Sequence, residues 1–247
     1  MKHFLVIILI ALTAASAFGQ SVVASTSWTG AFAQLAGADD VRVLAPFDMT
    51  HPPEYELRPS DLRAVSEADY VIYAGYETMV ERLLATTGDS DAQAVQIVTV
   101  HAEPVLRRSV NAIASALGTE TIAEQRLAEL FSVMDEWRTE VREYGLDQDR
   151  VIAHFHQRAL AEDLGMNVVG VFGPAPLEAR QIDELSRLDP TLIIDNGHNP
   201  IATPLLETTS ARVTTWYNFP GIGGTRTLGE IFERNRADLE AVVLSLD

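Results

Sequence analysis

VIAHFHQRALAEDLGMNVVGVF, residues 151–172, reads as strand, helix and strand in immediate succession. VIAHF (151–155) and NVVGVF (167–172) are short runs rich in β-branched residues, and QRALAEDLG (157–165) strings helix formers up to a terminal glycine. A strand joined through a helix to a second strand is the βαβ unit of parallel sheets, so this stretch puts the chain in the α/β class. The pattern extends in both directions. Downstream, EARQIDELSRL (178–188) is a helix, LIIDN (192–196) and RVTTWY (212–217) are strands, and TLGEIFERNRADLEAVV (227–243) is a closing helix. Upstream, SVVAST (21–26), VRVLA (41–45), YVIYAG (70–75) and VQIVTV (95–100) are strands. Ser27 or Thr29 is placed to cap the first helix, which stops at Gly37. Ser60 or Asp61 caps DLRAVSEA, and Glu77 to Leu84 is helical.

Between the two sets of strands lies TIAEQRLAELFSVMDEWRTEVREYG (121–145). Leu127, Leu130, Met134, Trp137, Val141 and Tyr144 recur at helical spacing, and Gly145 is a suitable stop. Such a helix spans roughly 35 Å, the width of a small domain. It divides the chain into an N-terminal lobe (20–118), a linking helix (119–146) and a C-terminal lobe (147–247), with residues 1–19 set apart. That first segment carries FLVIILIALTAA (4–15), shorter than the ~20 residues of a membrane span, before the small residues Ala15, Ser16 and Ala17. It reads as a secretory signal peptide, the alternative being an uncleaved anchor. Export places the mature chain in the periplasm or outside the cell.

The chain has no cysteine, which rules out disulfides, thiolate metal sites and a lipid anchor on cysteine. Its formal charge is −17, and Lys2 is the only lysine. So acidic a surface argues against nucleic acid and anionic membranes as partners. Neither H-E-x-x-H nor G-x-S-x-G occurs, and GIGG (221–224) lacks the spacing and setting of a phosphate-binding turn.

The chemistry-bearing residues are histidines. Of six, five lie beyond the leader, and each lies at or just beyond the end of a predicted strand: His51, His101, His154, His156 and His198. Open α/β sheets bind ligands beyond the carboxyl ends of their strands, and imidazole is the commonest ligand for borderline transition metals. One shared metal site built from distant loops is the expectation. The loop FDMTHPPEYELRPSD (47–61) is long and kept from helix by three prolines, as functional loops often are.

YELRPSDLRAVSEADYVIYAG (55–75) resembles a segment of the metal-specific substrate-binding proteins of ABC transporters that carry zinc or manganese, the cluster 9 or cluster A-I family. VVASTSWTGAFAQLAG (22–37), HAEPVLRRSVNAIASALG (101–118) and VIAHFHQRALAEDLGMNVVGVF (151–172) resemble, in order, its opening strand and helix, second-ligand loop and third-ligand unit. The resemblance implies two Rossmann-like lobes, each a mainly parallel sheet flanked by helices, bridged by one long helix. It implies a metal ion held between the lobes and delivered to a membrane permease. His154 falls on the third ligand position, with Gly165 at the family spacing behind it, and His101 falls on the second. The first position holds Pro53, so His51 must serve from two residues earlier, with Glu54 as a nearby oxygen donor. Where the family often has an aspartate, Arg226 stands, and arginine cannot ligate a cation. His198 in DNGHNP (195–200) is the chosen fourth ligand, with His156, Asp195 or water as alternatives.

Three or four imidazoles without a committed carboxylate suit Zn²⁺ better than Mn²⁺, which prefers oxygen, while Cu²⁺ and Ni²⁺ also accept imidazole. Ligating imidazoles must be neutral, so affinity should fall as pH drops through ~6.5. A non-catalytic, monomeric capture protein is expected. Two other functions compete with it. A secreted zinc-dependent hydrolase would use an open metal position, with Asp195 or Glu54 as base. A binder of an anionic or chelated ligand would use Arg226.

Overall fold

The computed structural model describes residues 19–244, so the leader falls outside it except for Gly19. In the N-terminal half, β1 (Val22–Ala24), β2 (Val41–Val43), β3 (Tyr70–Tyr73) and β4 (Gln93–Gln96) alternate with α1 (Ser27–Leu35), α2 (Pro59–Glu67), α3 (Val80–Gly88) and α4 (Glu103–Leu117). The long α5 (Glu120–Glu143) follows. The second half holds β5 (Val151–His154), α6 (Phe155–Asp163), β6 (Val168–Phe172), α7 (Ala179–Ser186), β7 (Leu192–Asn196), α8 (Thr203–Leu206), β8 (Arg212–Trp216) and α9 (Leu228–Leu244).

The strands form two four-stranded sheets, ordered β2-β1-β3-β4 and β6-β5-β7-β8, and every pairing is parallel. The two lobes therefore repeat one topology. In each, the order reverses between its first and third strands. Those central strands, VVA, YVIY, VIAH and LIIDN, are the most apolar and the most buried, as expected where helices cover both faces.

Helix ends follow local chemistry. α1 is capped by Thr26, one residue before the expected Ser27, and Thr29 closes the capping box from inside the helix. In α2, Asp61 sits in the first turn, where it accepts hydrogen bonds from the Arg58 N–H (2.9 Å) and the Tyr55 hydroxyl (2.7 Å). The predicted strand at 95–100 lies earlier, at Gln93–Gln96, because its register partner β3 ends at Tyr73. Ile97 makes the last backbone bond to β3, its N–H donating to the Tyr73 carbonyl at 2.9 Å, and the chain from Ile97 to Val100 then lines the interlobe cleft.

α5 buries Ala123, Leu127, Leu130, Phe131, Met134, Trp137 and Val141 along one stripe. The stripe lies in a single hydrophobic cluster that takes Phe32 and Ile113 from the N-terminal lobe and Leu192, Trp216 and Phe232 from the C-terminal lobe. Trp137 and Trp216 are its largest members, 5.0 Å apart ring to ring, and Trp137 lies 6.5 Å from Phe232. Smaller cores lie on the outer faces, under α2 and α3 in one lobe and α7 and α8 in the other. The long helix is thus a shared wall as well as a link.

Polar ties reinforce it. Arg138 on α5 reaches Asp163 at the end of α6 (2.7 Å) and Glu103 at the start of α4 (3.1 Å). Arg236 on α9 donates to Glu140 (2.8 Å). Beside the cleft the lobes touch directly: Ser27 Oγ donates to the Pro220 carbonyl at 2.8 Å. Gly221 has φ +137°, and a side chain there would overlap the Phe47 carbonyl oxygen of the other lobe. Among the described residues no helix is long and apolar enough to cross a membrane.

Candidate functional site

The carboxyl ends of both sheets face one cavity of about 440 Å³. Its walls come from the two points where strand order reverses: Trp28 beyond β1, Tyr76 beyond β3, His156 beyond β5 and His198 beyond β7. A crevice at such a switch point is where open α/β sheets bind ligands, and here two switch points oppose each other. His51 and Phe219 complete the nearest wall. Among the described residues, no Asp, Glu, Lys or Arg lines the cavity.

His198 is the most firmly positioned imidazole. It is 3% exposed, and its ring stacks on Phe219 with centroids 3.5 Å apart. Nδ1 lies 2.9 Å from Asn218 Oδ1, an acceptor, so Nδ1 carries the proton and donates it. Nε2 is left with its lone pair, buried and without a hydrogen-bond partner. This is the orientation that second-shell partners impose on metal-binding histidines. Asp195 builds the loop that presents it. Its carboxylate accepts from the backbone N–H groups of Asn196 (2.8 Å), Ile201 (3.3 Å) and Ala202 (3.0 Å). Both oxygens are committed to that loop, and Asp195 does not line the cavity.

His51 and His156 are exposed and open on the same space. His51 precedes a 3₁₀ turn at Pro52–Glu54, and the Pro53 carbonyl accepts from the Thr78 N–H at 2.9 Å, which pins the long loop beside the end of β3. Glu54 is exposed and is not part of the cavity wall. His156 occupies the first turn of α6, with its ring edge-on to Trp28 at 6.3 Å.

His101 and His154 stand one layer behind. His101 is 3% exposed, packs against Phe232 at 5.3 Å, and accepts a hydrogen bond on Nε2 from the Trp28 indole N–H at 3.1 Å. Trp28 therefore separates it from the cavity that Trp28 lines. His154 is fully buried and caps α6, its Nδ1 accepting from the His156 N–H at 3.2 Å. Its Nε2 has no partner and faces Gly173, where an added Cβ would come within 2.6 Å. Of the four histidines nominated from sequence, His51 and His198 line the cavity, and His156 joins them there. As the side chains stand, no three His, Asp or Glu among the described residues are close enough together to hold a metal ion. Arg226 lies outside the cavity, its guanidinium over the Phe47 ring at 5.1 Å, so it offers the cleft no anion-binding charge. Asn218 and Phe219, which fix His198, carried no sequence signal beyond lying past the last strand.

Burial holds His101, His154 and His198 neutral. Loss of solvation pushes His101 down to about 3 and His198 to about 4, and lowers His156. The same effect, with the neighbouring His156, brings His154 to about 4. Unfolded, each titrates near ~6.5. As pH falls, the unfolded chain takes up these protons first, so stability is full above ~6.5 and drains toward pH 4. Each buried histidine removes up to about 1.4 kcal/mol per pH unit in that window. Urea titrations at pH 7.5 and 5 should show a clear fall in unfolding free energy, and equal values would contradict neutral burial.

Two βαβ lobes around a shared helix, with a cavity at their opposed strand ends, define a two-lobed α/β fold. Residues 22–114 match the model of a family described as zinc-uptake complex component A, periplasmic. No curated protein matches the chain significantly. Solved structures share the fold over nearly its whole length. AdcAII of Streptococcus pneumoniae has a TM-score of 0.69 at 16% identity, covering 90% of this chain and 98% of its own. The SBP FpvC of Pseudomonas aeruginosa, solved in complex with Mn²⁺, has a TM-score of 0.70 at 16% identity, covering 93% and 100%. The laminin-binding protein Lmb of Streptococcus agalactiae, described as bifunctional with adhesin and metal-transporting activity, has 0.66 at 19%, covering 93% and 100%. The resemblance to the metal-specific substrate-binding proteins is thereby borne out: the N-terminal lobe carries the sequence signature and the whole chain carries the fold.

Proposed function

We propose that this chain is an extracytoplasmic substrate-binding protein, periplasmic or extracellular and monomeric. It captures a divalent transition metal ion in the interlobe cleft and delivers it to the membrane permease of an ABC importer. The observation that carries this is the cavity shared by His51 from one lobe and His156 and His198 from the other. His198 is the fixed ligand, with Nε2 already bare, and His51 and His156, exposed on the same cavity, would have to swing toward the ion to reach it at ~2.0–2.1 Å. His101 and His154 support the wall, the first through Trp28 and the second by capping the helix that carries His156. A donor set of imidazoles with no carboxylate favours Zn²⁺ over Mn²⁺. The same lining favours capture over hydrolysis, since no carboxylate stands in the cavity to act as base toward a metal-bound water.

Calorimetric titration of metal-free protein with Zn²⁺ tests this. Saturable one-to-one binding is expected, with no turnover of ester or phosphoester substrates. The melting temperature should rise with zinc, since a ligand at a hundred times its Kd adds about 2.7 kcal/mol to stability. A midpoint unmoved by zinc would refute the proposal.

A further inference from the structure

We infer that the cargo arrives as a complex of the metal with a small, planar, anionic organic chelator, an inference that rests on the metal-capture function proposed above. The cleft is larger than an ion needs. At about 440 Å³ it falls in the range of organic-ligand sites rather than ion sites. Its walls are the wrong kind to hydrate a bare ion. Ile97, Val98, Val100 and the rings of Trp28, Phe155 and Phe219 face it. Nine large apolar side chains are exposed among the described residues, and four of them, Tyr76, Val98, Val100 and Phe155, stand around this one cavity. Val98 is 56% exposed and Phe155 55%, a level of apolar exposure that a flat aromatic ligand would cover.

Charge points the same way. The lining holds no carboxylate, so a bare dication would keep its full charge within apolar walls. A chelator with anionic donor atoms cancels that charge before entry and leaves metal positions open for imidazole. His198 Nε2, buried and unpartnered, takes one such position. Asn196, Asn199 and Thr50 on the wall can hydrogen-bond the chelator's carboxylate oxygens. The ion keeps its bonds to the chelator, and imidazole replaces bound water.

Equilibrium dialysis of the full protein against Zn²⁺ alone, picolinate alone, and Zn²⁺ with one or two equivalents of picolinate tests the inference. Zinc is followed by mass spectrometry and picolinate by absorbance. The expected result is picolinate retained only together with zinc, one ring or more per ion, and at least tenfold tighter zinc binding than without it. Phe155→Ser, a change at an exposed ring, should erase most of that gain. If zinc binds alone and picolinate merely strips it, the inference falls while metal capture stands. Retention of picolinate without zinc also overturns it. If neither zinc nor its complex is retained, both fall.

Discussion

Replacing His51, His156 and His198 together by alanine should abolish the proposed zinc binding, raising the apparent Kd by about a thousandfold or more, and should leave a folded protein. A thousandfold corresponds to about 4 kcal/mol, a modest demand for three lost ligands when second-shell partners alone are worth ten- to a hundredfold. The fold tolerates the change because His51 and His156 are exposed. Only His198 gives up buried contacts, its hydrogen bond to Asn218 and its stacking on Phe219, at a cost of about 1–3 kcal/mol. The contrasting pair, His101→Ala with His154→Ala, should behave the opposite way. Removing His101 orphans the Trp28 indole N–H, and removing His154 deletes a helix cap worth ~1 kcal/mol and leaves a void. That variant should melt well below the parent and still bind zinc. Calorimetry and thermal melts on both variants decide between the cavity-lining set and the set carried over from the family.

Trp137→Ala should cost about 3–5 kcal/mol of unfolding free energy, the largest stability effect expected from a single position. The side chain is 1% exposed and meets Trp216 and Phe232 of one lobe from a helix whose other neighbours belong to both. Its loss opens a void at the junction of the lobes, so urea unfolding should also lose cooperativity and separate into two transitions. A loss below about 1 kcal/mol, or an unchanged single transition, would mean the lobes are stable without a common core.

The α/β class, the two lobes and the long helix were legible because their signals are local. β-branched runs such as LIID, and the stripe from Leu127 to Val141, state their own geometry. Element ends were less so. VQIVTV is apolar throughout, and only the length of β3 decides that pairing stops at Gln96. The importance of the strand ends could also be read, since histidines cluster there. Which imidazole enters the cleft could not, because one intervening side chain decides it. Trp28 stands between His101 and the open space, and the N-terminal turn of α6 turns His156 outward while His154 is spent as its cap. Those are packing outcomes of residues far apart in sequence. Asp195 illustrates the same limit: a strand-end carboxylate could be a ligand or a loop builder, and only the fold shows that its oxygens accept from three backbone N–H groups of the following loop.

The central claim is that imidazoles from opposite lobes hold one ion. An anomalous-difference map collected at the zinc absorption edge from crystals of the zinc-loaded protein tests it most directly. The account predicts a single strong peak within ~2.0–2.1 Å of His198 Nε2, with nitrogens of His51 and His156 at the same distance. A peak bound by residues of one lobe alone, or anywhere outside the interlobe cavity, would contradict it.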